Sequence, residues 1–119
     1  MELEGMVKLC SIEREDIALG NNTSENTFFK GRAVRTNQLY LFERGDVIVG
    51  EGLNRRQAGY IKYSSGVIVS QKKVMSDSYI VPRIYDVPSI IGVQEVEGIR
   101  TGNYVQVEDG SIYVRKSQR

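Results

Sequence analysis

Ser65-Gly66-Val67-Ile68-Val69-Ser70-Gln71-Lys72-Lys73-Val74-Met75-Ser76-Asp77-Ser78-Tyr79-Ile80-Val81-Pro82-Arg83-Ile84-Tyr85-Asp86-Val87-Pro88-Ser89-Ile90-Ile91-Gly92-Val93 is the stretch that decides the fold. Val67 to Val69 and Ser89 to Val93 are short β-branched runs bounded by turn residues, the pattern of strands covered on both faces. Between them lie a polar loop, a helical piece and a proline-set turn. That intervening length suffices for a crossover, so parallel pairing of Val67–Val69 with Ile90–Val93 is expected. Pro82 falls inside the helical piece, where it removes a backbone donor at a cost of about 3 kcal/mol and biases Val81 toward an extended shape. The helix is therefore expected to start late, to kink or to be mostly lost.

Outward from this stretch, Val47-Ile48-Val49 reads as another buried strand, and Thr27 to Arg35 as the beginning of a strand. A short helix is expected over Leu53 to Ala58, and Tyr60-Ile61-Lys62-Tyr63 alternates as a half-buried strand would. Asp109-Gly110 between Tyr104–Val107 and Ser111–Val114 favours the positive φ angles of a tight hairpin. Leu3, Met6, Val7, Leu9 and Ile12 recur at spacings that serve a short helix or a strand equally. The run from Gly20 to Asn26 is rich in glycine, asparagine and serine and reads as a loop. It divides an N-terminal appendage, residues 1–26, from a core of residues 27–119.

The chain has 119 residues, the size of one domain, with 40% hydrophobic and 26% charged residues, as in an ordinary globular protein. Sixteen basic against fifteen acidic residues leave a net charge of +1, so bulk charge recruits neither nucleic acid nor an anionic membrane. Arg55-Arg56, Lys72-Lys73, Arg115-Lys116 and seven tyrosines could serve a nucleic-acid module, but no recognition motif accompanies them and the tyrosines sit in or beside apolar segments, where they read as core or rim packing. Cys10 stands alone, which excludes an internal disulfide and fits a reducing compartment. No signal-peptide or membrane-spanning run occurs in the sequence, and a cytoplasmic protein is expected. With no histidine and one cysteine, neither a metal site nor a histidine-based nucleophilic triad is expected, and no cofactor motif of the P-loop or dinucleotide type is present.

The order of these residues resembles the phosphohistidine, or swivelling, mobile domain of the enzymes that use phosphoenolpyruvate. Gly66-Val67-Ile68-Val69 matches that family's first motif strand, Ser76 the residue before its histidine, Ile80-Val81 and Arg83 its helix, and Val87-Pro88-Ser89-Ile90-Ile91-Gly92-Val93 its exit strand. Gly31-Arg32-Ala33-Val34 resembles the opening strand, and Gly45-Asp46-Val47-Ile48-Val49 the strand that follows it. The resemblance implies a β-rich α+β fold, a swivelling domain of β/β/α layers with one or two short helices.

It also implies where chemistry would sit. The family's histidine, which carries a phosphoryl group between two distant sites, falls on Asp77, and its paired turn glycines fall on Lys72 and Lys73. Aspartate can in principle accept a phosphoryl group as an acyl phosphate, with help from Mg²⁺; it also reads as a helix cap or a solvated loop carboxylate. Lys72, Lys73 and Ser76 are candidates for a small anion, or two solvated lysines and a hydroxyl. The expected function is that of a free-standing, catalytically impaired relative, a binding, regulatory or structural module that meets a protein partner or a second copy of itself. A phosphotransfer domain using Asp77, or assisting a partner phosphotransferase, and a nucleic-acid module are the alternatives.

Overall fold

A computed structural model describes residues 5–11, 28–71, 77–108 and 110–116. The described strands are β1 (Val7–Ser11), β2 (Phe29–Arg35), β3 (Val47–Gly50), β4 (Gly66–Val69), β5 (Ser89–Ile90), β6 (Tyr104–Glu108) and β7 (Ser111–Arg115), with helices α1 (Ala58–Tyr63) and α2 (Asp77–Ile84). Short 3-10 turns cover Thr36–Leu41, Arg55–Gln57 and Gln94–Gly98.

One seven-stranded sheet runs in the order β1-β7-β6-β2-β3-β4-β5. Its first half is antiparallel, and β2, β3, β4 and β5 run parallel. The parallel half is buried on both sides because neighbouring residues feed two different cores. Ala33, Val47, Val49, Ile68 and Ile90 join Val105, Val107 and Ile112 of the antiparallel half. Val34, Ile48, Val67 and Val69 join Leu53, Ile61 and Val81 of the helical layer. The sheet thus curls so that its two halves and the helices stack as β, β and α layers, the expected fold class.

β4 pairs in parallel with β5 through Val67↔Ser89 and Ile68↔Ile90. β6 and β7 form the closing hairpin, with Glu108 opposite Ser111 and Gly110 at φ 76°. Gly66 has no room for a side chain, because a Cβ there would run into the Phe29 ring. At the other end of the sheet β1 pairs antiparallel with β7, and Leu9 and Cys10 pack against the larger core. The open choice between helix and strand for this segment resolves as a strand over Val7–Ser11.

Two local expectations are corrected. Tyr60 to Tyr63 is helical, because Asn54 and Gln57 form a capping box that starts a helical turn. Asn54 Oδ1 accepts from Arg56 N at 2.9 Å, Gln57 Oε1 accepts from Asn54 N at 2.9 Å, and the 3-10 turn continues into α1. Of the segment expected to be helical, Leu53 to Ala58, only Arg55–Gln57 and the first residue of α1 take that form. The second correction concerns Pro82. It lies inside α2, which begins at Asp77 and runs to Ile84, so the late start and the loss are the parts corrected. Proline has no N–H for the carbonyl of Ser78 four residues back, and that carbonyl accepts instead from the Ser89 hydroxyl at 3.1 Å. Both serines are fully buried, so the replacement bond answers a group that water does not reach. The loop expected over Gly20 to Asn26 lies outside the described residues.

At the start of β3, the Asp46 carboxylate accepts from Arg32 Nη2 at 2.7 Å and from Glu43 N at 2.8 Å. This hydrogen bond raises the Arg32 guanidinium above its ordinary pKa. Arg32 Nη2 also donates to the Leu41 carbonyl at 2.8 Å, so the matched Gly45-Asp46 turn is tied to β2 and to the end of the Thr36–Leu41 turn.

Candidate functional site

The four parallel strands end on one side of the molecule, at Arg35, Gly50, Val69 and Ile90. Loops leaving such ends are where parallel sheets offer concave, ligand-accessible surface. The loop after β4 is fixed by its backbone as far as Gln71. Ser70 N donates to Gly50 O at 3.0 Å, Gln71 N to Glu51 O at 2.9 Å and Gly92 N to Gln71 O at 3.1 Å. A cleft of about 530 Å³ lies here, lined by Thr36, Glu51, Gly52, Asn54, Ser70 and Gln71. A smaller one of about 280 Å³ adjoins it through Thr36 and Glu51 and adds Arg35, Asn37 and Glu97.

α2 opens beside this cleft. Ser78, its second residue, accepts from Leu53 N at 2.6 Å and donates to Gln71 Oε1 at 2.9 Å, joining the loops that follow β3 and β4. Gly52 permits the approach: a Cβ there would stand 2.6 Å from Gln71 Oε1 and 3.2 Å from Ser78 Oγ. Ser89 ties the same turn to β5, as described above. Three elements therefore hold the head of α2 in register with the parallel sheet.

Asp77 is the first residue of α2, so its backbone stands at the mouth of this arrangement. Lys72, Lys73 and Ser76 lie outside the described residues, and with them the anion-binding expectation. Ser78 and Ser89 are the site's principal positioning residues, and the sequence reading assigned neither of them this role. The signal lay in the spacing of Ser78 and Pro82, since a proline leaves the carbonyl four residues earlier without its helical donor. Asp86 has φ 58° and is the one described non-glycine residue in the left-handed region.

Among the described residues no group of three or more histidine, cysteine, aspartate or glutamate side chains stands close enough to hold a metal ion, and no helix is long and apolar enough to cross a membrane. The lone Cys10 sits far from the cleft, on β1. Burial, and then the charge and hydrogen bond of Glu95, push its thiol up to about 11 from an ordinary 9.0, with Lys8 opposing. It is a protonated, partly buried thiol.

The family model for the PEP-utilising enzyme, mobile domain, matches residues 42–111. The chain belongs to this family. The matched segment runs from the turn before β3 into β7 and includes the cleft, α2 and the exit strand. Among solved structures, the mobile domain is similar to one described as the NMR solution structure of Enzyme I (nEIt) protein, with a TM-score of 0.51 and 18% identity. The likeness covers 67% of this chain and 34% of that one, so the mobile domain spans about a third of the larger structure. At that identity it is a likeness of fold. No match is found among curated proteins.

Proposed function

We propose that this mobile domain has lost histidyl phosphotransfer and acts as a protein-binding, regulatory or structural module. One observation carries the reading: the chain has no histidine, and we align the family's histidine position with Asp77, the first residue of α2. An imidazole attacks phosphorus as a neutral base and leaves again near pH 7. A carboxylate attacks as an anion and needs a cation to offset charge repulsion. Lys72 and Lys73 replace the paired glycines of the family's turn, so the path by which a nucleophile would be aimed has changed as well. The retained scaffold supports docking, since mobile domains of this family act by meeting other domains. A protein partner, or a second copy, takes the place of the phosphoryl cargo. Lys72, Lys73 and Ser76, which precede α2 in the sequence, offer a small anion a weak, salt-sensitive site.

The test is intact-protein mass spectrometry after incubation with phosphoenolpyruvate or ATP, Mg²⁺ and a partner phosphotransferase domain, on wild type and Asp77→Ala. No added phosphoryl group is expected. A phosphoryl group gained by the wild type and missing from Asp77→Ala would make the protein an aspartyl phosphocarrier and overturn the reading. For the anion, phosphate at millimolar concentration should move the amide resonances of Gln71 to Ser78, and unmoved resonances would remove that part of the proposal.

A further inference from the structure

The helical layer has an outer face that the cleft does not use. α1 turns Ile61 into the core and leaves Tyr60 and Tyr63 outside, 38% and 42% exposed. On one flank of α1, Tyr60 meets the Phe42 ring edge-on with centroids 5.5 Å apart, and the Arg44 guanidinium lies 4.4 Å from the centre of the Tyr63 ring. On the other flank, a groove of about 390 Å³ runs between α1 and α2, lined by Arg55, Ala58, Ile80, Val81, Ile84 and Tyr85. Ile84, at the end of α2, is 67% exposed. Large apolar and aromatic side chains therefore continue across α1 from Phe42 to Ile84.

The charges around them are uneven. Arg44 and Lys62 lie over the Tyr63 ring, Arg55 lines the groove, and Arg56 is exposed in the turn that leads into α1. The whole chain has a net charge of only +1, so this gathering of cations at α1 is local. Tyrosine and arginine around an apolar groove form the composition that carries most of the energy in protein interfaces. α1 and α2 have only six and eight residues, which makes the groove long enough for one or two anchoring side chains, the scale of a transient interface.

We propose that this α1–α2 face is a docking surface for an acidic protein segment that carries one or two large apolar anchors. The anchor enters the groove beside Ile84 and Tyr85, and the carboxylates meet Arg56 and Lys62. The proposal rests on the reading of the domain as a binding module and names the surface and the chemistry of its partner. A single-stranded nucleic acid would also answer the charge. The groove lining of Ala58, Val81 and Ile84 favours aliphatic anchors, which a nucleic acid does not supply.

The test uses the full chain and three fluorescein-labelled probes: a glutamate-rich peptide with two leucines four residues apart, an all-glutamate peptide of equal length, and oligo(U). Fluorescence anisotropy should show saturable binding of the leucine-containing peptide, at least about tenfold tighter than the all-glutamate peptide. Ile84→Asp, and separately the pair Arg56→Glu and Lys62→Glu, should each weaken it about tenfold or more while melting within a few degrees of wild type. Lys30→Glu, on the antiparallel half of the sheet, should bind as wild type does. Should a variant lose its fold, chemical-shift changes in the wild type decide the matter, and they are expected at Tyr60, Lys62, Ile84 and Tyr85. No binding at millimolar peptide, binding insensitive to these substitutions, shifts elsewhere, or tighter binding of oligo(U) through the same residues would overturn the proposal. Phosphorylation of Asp77 bears on the binding-module reading alone, so the two failures are told apart.

Discussion

The bond from Ser89 to the Ser78 carbonyl should be measurable as a coupling with Pro82. Ser89→Ala removes the hydroxyl that donates at 3.1 Å and leaves a buried carbonyl whose helical donor Pro82 cannot supply. An unsatisfied buried group of this kind costs about 1–2 kcal/mol. With an unfolding entropy of about 2.1 cal/mol/K per residue, that corresponds to a fall of about 4–8 °C in Tm for a chain of this length. In a Pro82→Ala background, residue 82 regains an N–H within one helical turn of the same carbonyl, and Ser89→Ala should then cost less than about 0.5 kcal/mol. The effects of Pro82→Ala on helix propensity and on the unfolded chain cancel around the double-mutant cycle, leaving a coupling of about 1 kcal/mol. Urea unfolding of the four proteins, followed by circular dichroism, measures it. Equal costs of Ser89→Ala in both backgrounds, within about 0.3 kcal/mol, would refute the compensation.

Ser78→Ala should destabilise the fold by about 1–3 kcal/mol, because Leu53 N loses a buried acceptor; urea unfolding and faster hydrogen exchange at Leu53 check it. Gly66→Ala drives a Cβ into the Phe29 ring and should cost about 1–3 kcal/mol on the same assay. Asp77→His should fold and still gain no phosphoryl group by mass spectrometry. Cys10, with its thiol pushed up to about 11 from 9.0, carries about a hundredfold less thiolate at pH 8; the greater nucleophilicity of a more basic thiolate offsets part of this, so reaction with a disulfide reagent should be about tenfold slower than for a free thiol. The sign also fixes the pH dependence of stability: the protonated thiol's contribution is whole below pH 9 and is lost as pH rises toward 11, which alkaline unfolding of wild type against Cys10→Ala measures.

The parallel strands β3, β4 and β5 were legible because their β-branched residues are buried throughout, a pattern carried by the residues themselves. The closing hairpin was legible through Asp109-Gly110. Tyr60 to Tyr63 misled because alternation over four residues fits one helical turn with a single buried side chain, Ile61, as well as it fits a strand. The helix start was written upstream, in Asn54 and Gln57. Pro82 misled for a different reason: local propensity counts the missing donor, but the hydroxyl that replaces it arrives from Ser89 on another element. β1 finds its pairing partner in β7, near the opposite end of the described chain, so its spacing alone did not distinguish it from a helix. At the site, the supporting role of Ser78 exists only after β3, β4 and α2 have come together.

That division bears on how a mobile domain can change its chemistry and keep its shape. The described side-chain bonds at the head of α2 run through Ser78, Gln71 and Ser89, and they bind Leu53 and the Ser78 carbonyl. The register of the helix is thus set by Ser78, the residue after Asp77. Ile84, in the docking face, is seven residues beyond Asp77 along α2, about 10 Å at a rise of about 1.5 Å per residue. Sites that far apart with no shared partners usually contribute additively. The proposed loss of phosphotransfer at the head of α2 is therefore compatible with a docking face at its other end.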